Sequence, residues 1–372
     1  MEEVDVAIVG AGVVGLSAAW WLGRFGREVT VFERFRLGHD RGSSHGPTRI
    51  FRTAYDDPAY VKLAEHALPE WRALEGRTGE RVLEITEGFD VGDPDYIDRC
   101  DAAMRSVGVF AERLSADERK EIFPWFEGGD EPALLSRDAG VLAADVALRA
   151  LAKAAQNQGQ WNPDARIVDE TPVERVEIVK DGVSFYAGDQ EVHARKCVVS
   201  AGAWVAELLS PLGIDLPVRV TREQVFYFRA ASPIVPFIHR GEIARYGVPM
   251  FGTARGVKIA EHMTGSAAAA DTPDFDPDPE GAARLVDYVR ATLPILDPEP
   301  IGYETCLYTT TPDEGFVIDS VGPLVVASAC SGHGFKFGSV IGQLAGSLIT
   351  GELSLVPLGP FSLSRFEKES PG

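Results

Sequence analysis

Gly10-Ala11-Gly12-Val13-Val14-Gly15 is the run in this 372-residue chain whose spacing speaks most directly of chemistry. The first glycine permits a tight turn, the second lets backbone approach a pyrophosphate, and the third lets a helix pack closely on a strand. The helix N-terminus that follows offers free N–H groups to phosphate. Glu33 stands eighteen residues after Gly15. Its carboxylate can accept hydrogen bonds from both ribose hydroxyls, which disfavours a 2′-phosphate. Arg34 follows at once. The motif alone does not separate NAD from FAD, although its place at the extreme N-terminus favours FAD. Two arginines, Arg49 and Arg52, lie three apart and on a helical turn would point in neighbouring directions. Guanidinium forks of this kind fit a carboxylate bidentately. The plainer reading is a pair of surface arginines matched to Asp56 and Asp57. Cys100, Cys197, Cys306 and Cys330 are far apart, with no CxxC pair and no spacing for zinc. Taken alone, each reads as a buried structural cysteine.

The elements that must position these groups are legible nearby. Val4–Val9 is a short β-branched apolar run, read as a buried strand; Leu16–Phe25 is helix-like, and Glu28–Phe32 reads as a second strand. This strand–turn–helix–strand order is the context a glycine fingerprint requires. After residue 85 the βαβ pattern stops. A helical stretch is expected from Val141 to about Gln158, and short strands over Thr171–Val179 and Val183–Tyr186. Lys196–Ser200 reads as a strand running into the small-residue turn Ala201–Trp204. Residues 216–260 alternate apolar and polar over short runs such as Gln224–Phe228, which suits an antiparallel sheet. Ala267–Pro279 is a polar, proline-rich loop before a helix over Glu280–Leu293. Leu324–Ser328 is a buried strand and Gly338–Thr350 a helix.

Composition narrows the partners. Thirty-six basic against fifty-six acidic residues give a formal charge of −20, which repels nucleic acid and anionic membrane surfaces alike. Solubility is the plain reading of that charge. A small anionic substrate then needs a local basic pocket. No window approaches the apolar length of a membrane span, the N-terminus lacks a basic signal start, and the C-terminus carries no peroxisomal tripeptide. A cytoplasmic protein is expected.

Residues 42–55 (GSSHGPTRIFRTAY), Thr305–Tyr308 (TCLY) and Ser331–Phe337 (SGHGFKF), together with the fingerprint, resemble the monomeric sarcosine oxidase and N-methyltryptophan oxidase family. Val199–Trp204, the stretch Tyr246–His262 and Thr311–Asp319 extend the likeness over essentially the whole chain. The resemblance implies an α/β, two-domain flavoenzyme. Its discontinuous Rossmann-type FAD-binding domain would comprise 1–85, 140–216 and 305–372. A substrate domain on a mainly antiparallel sheet would comprise 86–139 and 217–304. It implies that Cys306 forms a thioether to the flavin, aided if nearby charge lowers the thiol pKa. Arg52 and Lys336 would hold a substrate carboxylate, Arg49 would lie by the flavin, and Lys258 would activate oxygen. His262 would position the amine side, with Tyr246 and Tyr308 lining the same cavity. Ser43, Ser44, His45, Thr48, Val173, Gly332, Gly334 and Phe335 join Gly10, Gly12, Val13, Val14, Gly15, Glu33 and Arg34 as cofactor contacts. The reaction implied is oxidation of a small, secondary-amine amino acid to an imine, with molecular oxygen reduced to hydrogen peroxide by a monomeric enzyme. A deglycating fructosyl-amino-acid oxidase, a dehydrogenase with another acceptor and a flavin-binding subunit without turnover are the rivals. Three departures bear on the substrate. Glu261 replaces the family tyrosine, Thr53 replaces a histidine, and one extra residue separates Tyr246 from Lys258.

Overall fold

The computed structural model describes residues 1–252, 256–271 and 274–366. Four expectations lie partly outside the described residues: the alternating run 216–260 and the stretch Tyr246–His262 at 253–255, the loop 267–279 at Thr272 and Pro273, and the C-terminal tail after residue 366.

Strand Glu2–Val9 sits at the middle of an eight-stranded sheet. Its parallel neighbours are Val29–Phe32 on one side and Gln190–Val199 on the other; Arg166–Val168 and Leu324–Ser328 extend the parallel part outward. Val6–Val9 is buried throughout, because both faces of a parallel sheet are covered and every side chain must be apolar. Helices Val13–Arg24, Ala144–Ala155 and Gly338–Thr350 cover one face. The antiparallel ribbon Val173–Val179 and Gly182–Ala187, with the segment after Val205, covers the other.

Two of those helices touch backbone to backbone. Gly338, Gly342 and Gly346 recur at four-residue spacing and face Val13, Ala18 and Trp21 of the first helix. A Cβ at Gly342 would lie 2.5 Å from the Ala18 nitrogen. The first helix is thereby fixed with its N-terminus at the glycine turn.

A nine-stranded, mainly antiparallel sheet forms the second layer system, with Phe237–Arg240 and Gly88–Gly92 as its parallel pair. Helix Pro279–Thr292 and a cluster of Phe89, Phe123, Phe126 and Phe237 pack against it. Strand Gly302–Thr310 pairs with Arg219–Phe228 along nearly its whole length. The boundary expected between 304 and 305 therefore falls inside a continuous strand.

Two local expectations are corrected. The helix expected from Val141 starts at Ala144, because Gly140–Ala143 is a strand held between Thr48–Phe51 and Leu83–Ile85. That pairing also makes Thr48–Phe51 extended, so Arg49 lies on a strand and not on a helical turn with Arg52. Among the described residues no helix is long and apolar enough to cross a membrane, and no group of three or more His, Cys, Asp or Glu residues is placed to hold a metal.

Candidate active site

The glycine turn is shaped for a ligand on its outer side. Gly10 has φ +100, and a Cβ there would lie 2.6 Å from the Ser200 carbonyl oxygen. At Gly15 a Cβ would lie 1.9 Å from the Gly10 oxygen, so this residue serves packing and does not line the cleft. Gly12 faces outward, with Ser44 Oγ the nearest atom at 3.1 Å from a built Cβ. The helix behind it has no side-chain cap; Val13 N donates to Ser44 Oγ at 3.2 Å. Glu33 accepts from Ala11 N at 2.7 Å and Phe35 N at 3.0 Å, with His39 Nε2 at 3.3 Å. Burial opposes its charge, but these donors prevail and hold the carboxyl below the usual range.

Gly10, Gly12, Val13, Val14, Glu33, Arg34, Ser43, Ser44, His45 and Val173 all line one cleft of about 870 Å³. Arg34 is paired there with Asp271 at 3.0 Å. Val13, the Ser43–His45 loop and Cys330 also line a second cavity of about 330 Å³, so the two adjoin along these residues. A carboxylate at one end, an uncapped helix terminus in the middle and a walled chamber beyond fit an extended dinucleotide such as FAD.

Where the two cavities meet, backbone carbonyls gather the cations. Arg49 donates to Thr48 O at 2.9 Å, Ser43 O at 3.0 Å and His45 O at 2.5 Å, and stands 5.4 Å from the Phe335 ring centre. Lys258 also donates to Thr48 O. Thr48 itself is fully buried and lines neither cavity; its carbonyl ties the two cations together. Burial, with Arg49 beside it, pushes the Lys258 pKa well below its usual value. His45 Nε2 lies 3.1 Å from Thr305 O, and burial with Arg49 lowers the pKa of that imidazole.

Cys306 lines the second cavity opposite Glu223 on the neighbouring strand. Burial pushes its thiol up to about 11, with Arg49 pulling the other way. The surroundings do not lower the thiol pKa, contrary to the sequence expectation, because desolvation exceeds the attraction of nearby cations. Gly332 (φ +73) closes the chamber; a Cβ there would lie 2.3 Å from the Tyr308 ring and 2.6 Å from the His262 ring. Gly334 and Phe335 complete this wall, and Phe335–Phe337 is a single 3-10 turn leading into the last helix.

The far end of the chamber is basic. Arg52 is buried, paired with Asp90 at 3.1 Å, and lies 4.1 Å from the Tyr55 ring centre. Burial is the largest single influence and opposes the charge, but Asp90, with Tyr55, Tyr96 and Cys100 behind it, together offset it and raise the guanidinium's pKa. The expected alternative partners, Asp56 and Asp57, do not pair with it. Lys336 donates to Tyr55 Oη at 2.8 Å and His333 O at 2.7 Å; burial and Arg52 push its pKa well down. His262 faces this group, held down to about 3 by burial and by Arg240, Arg52 and Lys336, so its imidazole is neutral. Tyr246 and Tyr308 line the same wall, the Tyr308 ring 5.8 Å from His262. Burial raises the phenols of both.

The departures sort themselves by position. Glu261 is buried and bridges Arg245 at 2.9 Å and Arg284 at 3.0 Å. It lies outside the cavity wall, neither facing solvent nor offering a polar contact to a ligand, and acts by fixing Arg245, which does line the wall. Thr53 is buried and also lies outside the wall. Sequence reasoning missed Asp90 and Arg240. Neither carries a local signal, since each is one charged residue in an ordinary strand and matters only where Gly88–Gly92 meets Phe237–Arg240.

Comparison with known proteins agrees with this geometry. Residues 5–348 match the family described as FAD dependent oxidoreductase. Peroxisomal sarcosine oxidase of Mus musculus is 33% identical, the alignment covering 97% of this chain and 96% of that one. N-methyl-L-tryptophan oxidase of Yersinia pestis is 30% identical over 98% of this chain and all of its own. Among solved structures, NikD, an amino acid oxidase of nikkomycin biosynthesis, superimposes with a TM-score of 0.85 at 26% identity, covering 97% of this chain and 98% of that one.

Proposed function

This chain belongs to the FAD dependent oxidoreductases and, among them, to the family of sarcosine and N-methyltryptophan oxidases, and we propose that it oxidises the C–N bond of a small N-alkyl amino acid. The observation that carries this reading is the meeting of Arg52, Lys336 and neutral His262 in one chamber that adjoins the glycine-turn cleft and shares wall residues with it. In this reading the eight-stranded sheet carries the cofactor and the nine-stranded sheet forms the wall of the substrate chamber.

FAD, when bound, supplies the two-electron acceptor, and Cys306, whose side chain lines the chamber, would hold it covalently. Arg52 and Lys336 grip the substrate carboxylate and so fix the C–N bond in one orientation. His262, Tyr246 and Tyr308 shape the amine side, and an imidazole that stays neutral leaves the amine free to react unprotonated. Lys258 keeps a proton at Nζ against the Thr48 carbonyl, beside the place where molecular oxygen takes up electrons. The products are an imine, which water hydrolyses, and hydrogen peroxide. A chamber of about 330 Å³ is at the small end for a ligand site, which favours a compact amino acid over a sugar adduct.

Anaerobic addition of N-methyl amino acids to the yellow holoenzyme tests this directly. Bleaching of the flavin, followed by recovery and one equivalent of peroxide on admitting air, is the expected result. Absence of bleaching with every N-alkyl amino acid sinks the reading; bleaching without peroxide replaces oxygen by another acceptor.

A further inference from the structure

Arg240 has no task in the reaction described above, yet it lines the chamber where that reaction is placed. It ends the strand Phe237–Arg240 and lies in register with Gly92 of the neighbouring strand. A Cβ at Gly92 would lie 2.7 Å from the Arg240 Cβ, so the glycine leaves the room this side chain occupies. The guanidinium stands 5.1 Å from the Tyr96 ring centre, and the Tyr96 hydroxyl in turn donates to Asp90 at 3.3 Å.

Every other cation of the chamber has a partner. Arg52 has Asp90, Arg245 has Glu261, and Arg49, Lys258 and Lys336 donate to carbonyl or hydroxyl oxygens. The Arg240 side chain, among the described residues, makes no ion pair within 4.0 Å and no hydrogen bond, and its Nε is buried without an acceptor. The residue as a whole is half-buried, so the cost falls on the one shielded N–H, and a ligand carboxylate that accepts from it would remove that cost and supply the missing counter-ion.

We propose that Arg240 is a second anion subsite, and that the preferred substrate is an N-alkyl amino acid whose side chain carries a second carboxylate. The inference rests on the reading of the site as an N-alkyl amino acid oxidase. The charge balance supports it. Asp90 already neutralises Arg52, so one substrate carboxylate shared by Arg52 and Lys336 leaves Arg240 alone. A second carboxylate on the same molecule closes the balance. The subsite lies on the His262 side of the chamber, since Arg240 is the strongest of the charges acting on that imidazole. The small volume limits the spacer between the two acids to a few carbons.

Ether isosteres that cannot be oxidised at nitrogen isolate binding from turnover. Holoenzyme is titrated with 2-methoxyglutarate and with its monoacid counterpart 2-methoxypentanoate, by calorimetry and by the perturbation of the flavin spectrum. The diacid is expected to bind about tenfold or more tightly, the effect of one charge-assisted pair. In Arg240→Met that ratio falls to near one, and in Arg240→Lys part of it remains. A ratio near one in the unaltered enzyme, or a ratio that survives Arg240→Met, overturns the subsite; the first of these decides even if the methionine variant does not fold. Anaerobic bleaching separates the two levels. Equal bleaching by N-methylglutamate and N-methylnorvaline, with no diacid preference, removes the subsite and leaves the oxidase. Bleaching by no N-methyl amino acid removes both.

Discussion

Burial shifts the titration of Cys306 and Lys258 in opposite directions, and the proposed chemistry of each then carries its own pH dependence. The Cys306 thiol is raised to about 11, so at neutral pH the nucleophilic thiolate is scarce and grows as pH rises. Covalent attachment in apoprotein mixed with FAD should therefore accelerate steadily from pH 7 towards 10, read as flavin that stays with acid-precipitated protein; Cys306→Ser should release all of it. Lys258 moves the other way. Its ammonium exists below a depressed pKa and is lost as pH climbs through that value, well before the 10.5 of an ordinary lysine. Stopped-flow re-oxidation of reduced enzyme should slow as pH rises through this region, while anaerobic reduction does not follow the same titration. Lys258→Met should slow re-oxidation about 10²-fold at every pH, the scale of removing one fixed charge from a developing anion. Asp90 belongs to the same scale. Asp90→Asn strands the buried Arg52 guanidinium, and the loss of stability, read by denaturant unfolding, should be about 3 kcal/mol or more. The sequence exposed Cys306, Lys258 and Arg52 through the motifs around them. It hid Asp90, Arg240 and the bridging role of Glu261, because partners such as Arg52 and Asp90, 38 positions apart, or Glu261 and Arg245, 16 apart, follow no helix or strand period.

At the level of elements, legibility followed how locally each one is determined. The last helix was read at Gly338–Thr350, the bounds it has in the structure, because apolar periodicity and Gly351 at its end specify it without outside help. Val141–Ala143 was read as the start of a helix, since its apolar run is continuous with the helix after it. Only pairing with Thr48–Phe51, ninety residues earlier, makes it a strand. The same distant pairing straightens the segment that carries Arg49, which is why the three-residue spacing misled. The glycine stripe Gly338, Gly342 and Gly346 was visible as composition but not as a contact. It lets the last helix press on the first, and the first presents its N-terminus to the glycine-turn cleft. Gly342→Leu must separate the two helices, because the new side chain starts 2.5 Å from backbone. The expected cost is about 1–3 kcal/mol in thermal or denaturant unfolding, with weaker retention of FAD by the apoprotein. Ser347→Ala, on the same helix, removes a hydroxyl bonded only to the Gln343 carbonyl and should change neither measurably.

The whole molecule places a basic chamber inside a strongly acidic body, and the two charges act over different distances. The formal charge of −20 creates a negative field that a small anion meets before it reaches the cleft. At the wall, Arg52, Arg240, Lys336 and their neighbours act within a few ångströms, out of reach of mobile ions. Added salt, with a screening length of about 30 Å at 0.01 M and 10 Å at 0.1 M, weakens the first effect and hardly touches the second. Association of an anion such as 2-methoxypentanoate should therefore become faster between those two salt concentrations, while its dissociation rate stays nearly constant. A zwitterionic N-methyl amino acid, with no net charge, should show neither change. The diacid 2-methoxyglutarate carries twice the charge and should show the steepest rise in association rate. Stopped-flow binding over a salt series gives all three slopes at once. Slopes of the opposite sign for the two anions would mean that the basic chamber governs the approach as well as the grip. In that case the acidic surface would serve solubility alone.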